Sequence, residues 1–369
     1  MQKHYDNTEK AKKAFLVSIL GDGNDEIRGL VETLGVEIAG HERINVREKT
    51  PKYGIGSGKA AELAQKATDL GADCIILDWN PSPSQQRNWE TLASISVLDR
   101  QELIIRIFAQ RASTKEAELQ VKLAELSYFL PRLTHKYIDL SRQRGGRFGT
   151  RDTGETKLET DRRQLEQRIR RLEKQIEEVR RQRQTQRRQR ERQGIPICAI
   201  VGYTNAGKSS LLNALTGADV PVEDKLFVTL DAVTRRFQLT PGVTVLLTDT
   251  VWFIRQLPHS LIKAFHSTLE EAALADILIH ILDASEPEID SNYRTTFSVL
   301  GELGAQNIPM ITVLNKVDRL AADEDSQNLL QELKNRFPES IAVSVKNKTG
   351  LEDLKNRITF MLKNNHPVT

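Results

Sequence analysis

The eight residues "GYTNAGKS" (202–209) carry the clearest chemistry in this chain of 369 residues. They match the spacing G-x-x-x-x-G-K-[ST] and lie between a run that reads as a strand and a pattern that opens a helix. Gly202 and Gly207 let the backbone turn, so that the N–H groups of Tyr203, Thr204, Asn205 and Ala206 can point inward at phosphate oxygens. A helix beginning near Lys208 aims its positive end at the same place. Lys208 would neutralise β- and γ-phosphates, the Ser209 hydroxyl would ligate Mg²⁺, and Ser210 completes the first helical turn.

Three further stretches belong to the same chemistry. "NKVD" (315–318) follows an apolar strand pattern. Asp318 can accept two hydrogen bonds from the N1–H and exocyclic amine of guanine; adenine would leave the buried carboxylate unpaired. Asn315 can tie the base loop to the phosphate loop, and the Lys316 stem can cover the base face. "SVK" (344–346) ends the next strand, where Ser344, Val345 and Lys346 can finish a guanine pocket. Asp249 closes "VTVLLTD" and suits a water-mediated Mg²⁺ contact opposite Ser209. GTP as substrate, GDP as product and Mg²⁺ as cofactor follow. Between Ser209 and Asp249 lies "EDKLFVTLDAVTRRF" (223–237), which reads as a polar loop. Thr229 is the first choice for a switch threonine on Mg²⁺ and γ-phosphate, with Lys208 the other catalytic residue. Thr234 is the second choice, and an ordinary strand or turn threonine is the alternative for both.

The second switch carries a departure. Three residues after Asp249 stands Trp252, where a glycine usually gives its N–H to the γ-phosphate and pivots. Phe253 follows, where many such proteins place a water-orienting glutamine. Slow intrinsic turnover, stimulated by a partner, is the expectation.

The elements that must position these residues fall into three sections. Residues 194–369 alternate strands and helices in a doubly wound pattern, read as a P-loop GTPase domain. Residues 1–112 also alternate, from "AFLVSIL" (14–20) to "QELIIRIFAQRA" (101–112), and read as a small α/β domain with a mainly parallel sheet. Within it "YGIGSGK" (53–59) holds three glycines and Lys59, a partial phosphate motif that a glycine-rich turn explains more simply. Residues 113–193 differ. Leu119, Leu123, Leu126 and Leu130 share one helix face, and Leu165, Ile169, Leu172, Ile176 and Val179 form a heptad seam. Between the two stripes lies the Gly/Arg-rich "SRQRGGRFGTRDTGE" (141–155), so the section reads as an antiparallel, coiled-coil-like helical hairpin with a cationic tip. From Asp161 to Gln193 there are 13 Lys/Arg against six Asp/Glu, a charge that favours polyanions or simply a solvated helix.

The bulk numbers agree with this division. Apolar residues make up 39% and charged residues 28%, with a net charge of only +3, so the basic section is hidden in the average. Cys74 and Cys198 sit in apolar runs and read as buried thiols. The N-terminus lacks the apolar stretch of a signal peptide, and no stretch is long and apolar enough for a transmembrane segment. A cytoplasmic monomer is expected.

Taken together, these motifs resemble the HflX family of ribosome-associated GTPases, within the group with Obg-like G domains, over nearly the whole length. The resemblance rests on "YGIGSGKAAEL" (53–63), "NPSPSQQRNWE" (80–90), "VLDRQELIIRIFAQRA" (97–112), "ELQVKLAELSYFLPRLT" (118–134) and "FGTRDTGETKLETDRR" (148–163). In the third section it rests on "VGYTNAGKSSLLNALTGA" (201–218), "DKLFVTLDAVTRR" (224–236) and "LPHSLIKAFHSTLEEAALAD" (257–276). It implies a GTPase that binds the large ribosomal subunit and its RNA, splits stalled or idle ribosomes, and directs the hairpin toward the peptidyl-transferase region. Some members also bind ATP through the first domain and act on RNA. Two departures stand out: Asp152-Thr153 replace the family's Gly-Pro in the hairpin tip, and Trp252 replaces the switch glycine. Two other readings remain open, a nucleotide-responsive RNA-binding protein with negligible turnover and an ATP-dependent RNA-remodelling enzyme.

Overall fold

The computed structural model describes residues 13–20, 26–46, 48–133, 151–191, 194–220, 226–227, 233–249, 254–255, 261, 264–320 and 324–365. It divides into two compact units, Met1–Gln110 with Glu118–Gln175, and Arg111–Ala117 with Ile176–Thr369.

In the first unit β1 (Lys13–Ile19), α1 (Glu26–Leu34), β2 (Glu37–Ile44), α2 (Ser57–Asp69), β3 (Cys74–Leu77), α3 (Pro83–Ala93), β4 (Ser96–Asp99) and α4 (Arg100–Arg111) alternate. The strands form one sheet in the order β2-β1-β3-β4, every pair parallel. A parallel strand is covered on both faces, so β1 and β3 are apolar at nearly every position. The edge strand β2, "EIAGHERI", is mostly half-buried and mixes charges with apolar residues. Its residue pattern carries no strand signal, because an edge strand owes the core only part of its surface. The start of α3 is well specified: Ser82 caps it, Gln85 returns the bond to the Ser82 N–H, and Pro83 opens it. Trp89 is fully buried, and its indole N–H donates to the Tyr53 carbonyl at 2.9 Å. That bond ties the glycine-rich 53–59 turn to the core, where Tyr53 and Ile55 are buried and Gly54 takes φ +78° beside Trp79.

Two longer helices follow, α5 (Lys115–Phe129) and α6 (Arg151–Glu191). The buried positions of α5 are Glu116, Ala117, Gln120, Val121, Ala124, Leu126 and Tyr128, while Leu119 and Leu123 are half-buried, as is Leu130 just after the helix. The leucine stripe is thus sheltered along its length, with Leu126 its most covered member, and small Ala residues and one aromatic share the covered face. On α6 Asp161 and Leu165 are buried, and the heptad positions Ile169, Leu172, Ile176 and Val179 are half-buried among mostly exposed charges. The helix already includes Arg151, Asp152, Thr153, Gly154 and Glu155; residues 141–150 of the Gly/Arg-rich stretch lie outside the described residues. Within the second unit, Arg183 of α6 pairs with Glu116 of α5 at 2.8 Å, and Arg180 pairs with Glu270.

The second unit continues with β5 (Ile197–Gly202), α7 (Lys208–Thr216), β6 (Val233–Thr240), β7 (Val243–Asp249), α8 (His266–Ala273), β8 (Ile277–Asp283), α9 (Ile289–Glu302), β9 (Met310–Asn315), α10 (Glu324–Arg336), β10 (Ile341–Ala342) and α11 (Leu351–Asn365). Its sheet runs β10-β9-β8-β5-β7-β6, parallel except for the antiparallel β6–β7 edge. The architecture is an α/β fold, with an N-terminal α/β domain and a C-terminal doubly wound α/β domain. One expectation is corrected. Residues 233–237, read as part of a polar loop, belong to β6, whose exposed Arg235 and Arg236 mask its strand character at the sheet edge.

Candidate functional site

The strands β5, β7, β8 and β9 end at Gly202, Asp249, Asp283 and Asn315, along the carboxyl edge of the second sheet. Ligands in open parallel sheets bind at this edge, where helix N-termini converge. Backbone geometry builds the phosphate loop. A Cβ on Gly202 would strike the Ile281 carbonyl oxygen, and one on Gly207 would strike Asn315 Nδ2. Gly207 also takes φ +101°, and Asn205 sits at φ +59°. Both glycines are therefore demanded by close approach.

Lys208 is buried and donates to the carbonyls of Gly202 at 2.9 Å and Tyr203 at 2.7 Å. Burial pulls its ammonium down to about 8, against the attraction of Asp249. The Ser209 hydroxyl donates to Asp249 Oδ2 at 2.6 Å. Burial pushes the Asp249 carboxyl up to about 6, opposed by Lys208 and by the Ser209 bond. Asp249 Oδ1 and Thr204 Oγ1 are buried and meet no hydrogen-bond partner among the described residues. A carboxylate oxygen left without a donor beside a serine hydroxyl matches a hard cation or its bound water, so Ser209 and Asp249 fit Mg²⁺.

The base-reading segment is held in turn. Asn315 Nδ2 donates to the Ala206 carbonyl at 2.9 Å, and its Oδ1 accepts from the Val345 N–H at 3.3 Å. One amide thus ties β9, the phosphate loop and the 344–346 segment together. Lys316 sits at φ +61° and pairs with Asp283 at 2.8 Å. The Ser344 hydroxyl donates to Asp318 Oδ1 at 2.5 Å and accepts from the Asn347 N–H at 3.1 Å. Ser344 therefore orients the Asp318 carboxylate. Lys346 is exposed, and Ser210 lies half-buried on α7.

Of the two candidate threonines, only Thr234 is among the described residues. Thr234 lies within β6, and its hydroxyl meets that of Thr248 at 3.0 Å, so it is a strand threonine. Thr229 lies outside the described residues, as do Trp252 and Phe253. Two features carried no sequence signal. His280 on β8 is fully buried, and neither ring nitrogen meets a hydrogen-bond partner among the described residues. Burial holds it down to about 3, with the Lys208 charge acting the same way. In the first unit Asp99, Glu102, Gln86, Tyr128 and Arg132 form a buried polar knot: Arg132 donates to Asp99 Oδ2 at 2.8 Å and Tyr128 donates to the same oxygen at 3.0 Å. In the glycine-rich turn, Lys59 is engaged by Glu62 at 2.8 Å. Among the described residues no cluster of His, Cys, Asp and Glu suits a further metal ion, and no helix is long and apolar enough to cross a membrane.

Three family models match the chain: "GTP-binding GTPase N-terminal" over residues 22–109, "GTP-binding GTPase Middle Region" over 111–190 and "50S ribosome-binding GTPase" over 197–316. The chain is similar to GTPase HflX of Akkermansia muciniphila, 47% identical, covering 96% of this chain and 85% of that protein. It is 39% identical to GTPase HflX of Escherichia coli, covering 97% and 84%. Among solved structures it is similar to an SsGBP and GDP complex, with TM-score 0.51 and 25% identity, covering 95% of this chain and 99% of that one.

Proposed function

The chain belongs to the HflX family of GTPases, and we propose that it works on the large ribosomal subunit, separating stalled or idle ribosomes as its nucleotide state changes. The observation that carries this reading is the match of residues 197–316 to a 50S ribosome-binding GTPase, on a domain with its phosphate loop fully formed. In this reading Gly202–Ser210 cradle the phosphates and Lys208 carries their charge. Asp318, oriented by Ser344, reads guanine. Lys316, Val345 and Lys346 close around the base, and Asn315 keeps base and phosphate loops in register. Mg²⁺, when bound at Ser209 and Asp249 with Thr229, supplies charge neutralisation at the β- and γ-phosphates.

The division into 1–112, 113–193 and 194–369 is supported by the three consecutive family models. The basic face of α6 is the surface offered to ribosomal RNA, through phosphate contacts that weaken as salt rises. The protein is read as a cytoplasmic monomer. Trp252 and Phe253 favour a second reading, a factor that binds in response to nucleotide but turns it over poorly. Sedimentation of ribosomes through sucrose with the protein and GDP, GTP or a non-hydrolysable analogue tests the first reading. Free subunits accumulating with GTP support it; intact ribosomes under every nucleotide rule out splitting. Turnover measured in the same mixtures separates the second reading.

A further inference from the structure

Two aspartates flank the base-reading segment, and only Asp318 belongs to its motif. Asp283 ends β8, and its register partner on β9 is Asn315, the first residue of that motif. Strand pairing therefore sets the Asp283 carboxylate beside Lys316. Its Oδ2 pairs with the Lys316 ammonium at 2.8 Å, and the two side chains are only 13% and 14% exposed. Its Oδ1 accepts from the Ser285 N–H at 3.0 Å and from the Ser285 hydroxyl at 2.6 Å. The Ala284 N–H donates to the Asn315 carbonyl at 2.8 Å, so the turn that carries Ser285 is itself fastened to β9. Arg319, half exposed, stands 4.0 Å from the oxygen that Lys316 holds.

We propose that Asp283 is a positioning residue for nucleotide binding: it holds the Lys316 stem where that stem covers the face of the base. A lysine stem is among the most flexible side chains, and ordering it against a base costs entropy. A carboxylate already fixed by Ser285 orders the stem beforehand, so less freedom is lost when the nucleotide arrives. The two aspartates then divide the work. Asp318 reads the donors on the guanine edge, whereas Asp283 acts on the stacked face, and only through Lys316. This inference rests on the base-site reading above.

The test is a double-mutant cycle in the full-length chain, read as the dissociation constant for GDP. Asp283→Asn removes the charge and keeps the shape. It should weaken GDP about three- to tenfold, the scale of one net hydrogen bond. Lys316→Ala removes the stem and should weaken GDP at least as far. With the stem gone Asp283 has nothing to position, so the double variant should bind GDP within about twofold of Lys316→Ala alone. An aspartate that merely fastened the ends of β8 and β9 would matter equally in both backgrounds. A loss that is as large without Lys316 as with it, or unchanged GDP affinity in Asp283→Asn, overturns the proposal. Asp318→Ala run in parallel separates two failures. If it keeps the preference for GDP over ADP, the base-site reading falls and Asp283 with it. If it loses that preference while the cycle is additive, only the role of Asp283 falls.

Discussion

The two sheets each carry buried charge near the carboxyl ends of their parallel strands, and they treat it in opposite ways. In the first unit Arg100 is buried between Asp78, at 2.7 Å, and Glu26, and Asp99 receives bonds from Arg132, Tyr128 and the Glu102 N–H. In the second unit Lys208 folds back onto its own loop's carbonyls, and one oxygen of Asp249 meets no donor among the described residues. Burial raises both aspartates to about 6, so desolvation alone does not distinguish them. What differs is who answers the charge. A charge answered by a side chain holds the fold, whereas a charge left to backbone carbonyls or to nothing waits for a ligand.

The sharpest test exchanges damage between the two regions. Lys208→Ala should lower GTP turnover by about 100-fold or more and lower the melting temperature less than Arg100→Met, because the partners it leaves are two backbone carbonyls rather than buried carboxylates. Arg100→Met should do the reverse, costing roughly 3–5 kcal/mol of stability by stranding Asp78, with turnover per folded molecule kept. Denaturant melts and turnover on both variants settle the matter; a stable, inactive Arg100→Met protein would erase the contrast.

Asp318→Ala should cost at least about 100-fold in the preference for guanine over adenine nucleotides, since the carboxylate supplies both guanine bonds. Competition binding with GDP and ADP reads this directly. A smaller effect, about tenfold, is expected where the sequence breaks its own pattern. Trp252→Gly should raise GTP turnover in the presence of large subunits, by restoring the backbone pivot. Equal rates for the two proteins would show the indole to be harmless.

The smallest effect concerns His280. Its folded-state value near 3 lies below the ordinary 6.5, so the unfolded chain takes up the proton first. Stability is therefore full above pH 6.5 and is lost as the pH falls from 6.5 toward 3. Between pH 7.5 and 5.5 that loss amounts to about 1 kcal/mol. Asp99 and Asp249, raised from 3.8 to about 6, act oppositely and add stability as the pH falls from 6 to 4. His280→Leu should flatten the acid loss in urea melts, and an unchanged pH slope would mean the ring is hydrated after all.

Most of the nucleotide site was legible because its parts are local. A glycine spacing, a strand ending in aspartate and a four-residue base motif each act through a few consecutive residues. The edge strands β2 and β6 were missed because they are only partly covered and carry charge. The leucine stripe on α5 was legible as apolar, but only packing decides how fully each member is covered: Leu126 is buried, whereas Leu119, Leu123 and Leu130 are half-buried. The cluster brings Asp99 to Tyr128 and Arg132, 29 and 33 positions further along the chain, and no spacing rule joins it to them.

By itself, then, the amino-acid sequence determined the kind of ligand, the alternation of strands and helices and the glycine spacing of the candidate phosphate loop. Those properties depend on neighbours along the chain. Only the tertiary structure decided that Asn315 locks the phosphate loop, that Ser344 aims Asp318, that Thr234 is a strand residue and that Asp283 pairs with Lys316. Each of these is a polar contact across a long stretch of chain, and its existence depends on how the strands are ordered in the sheet.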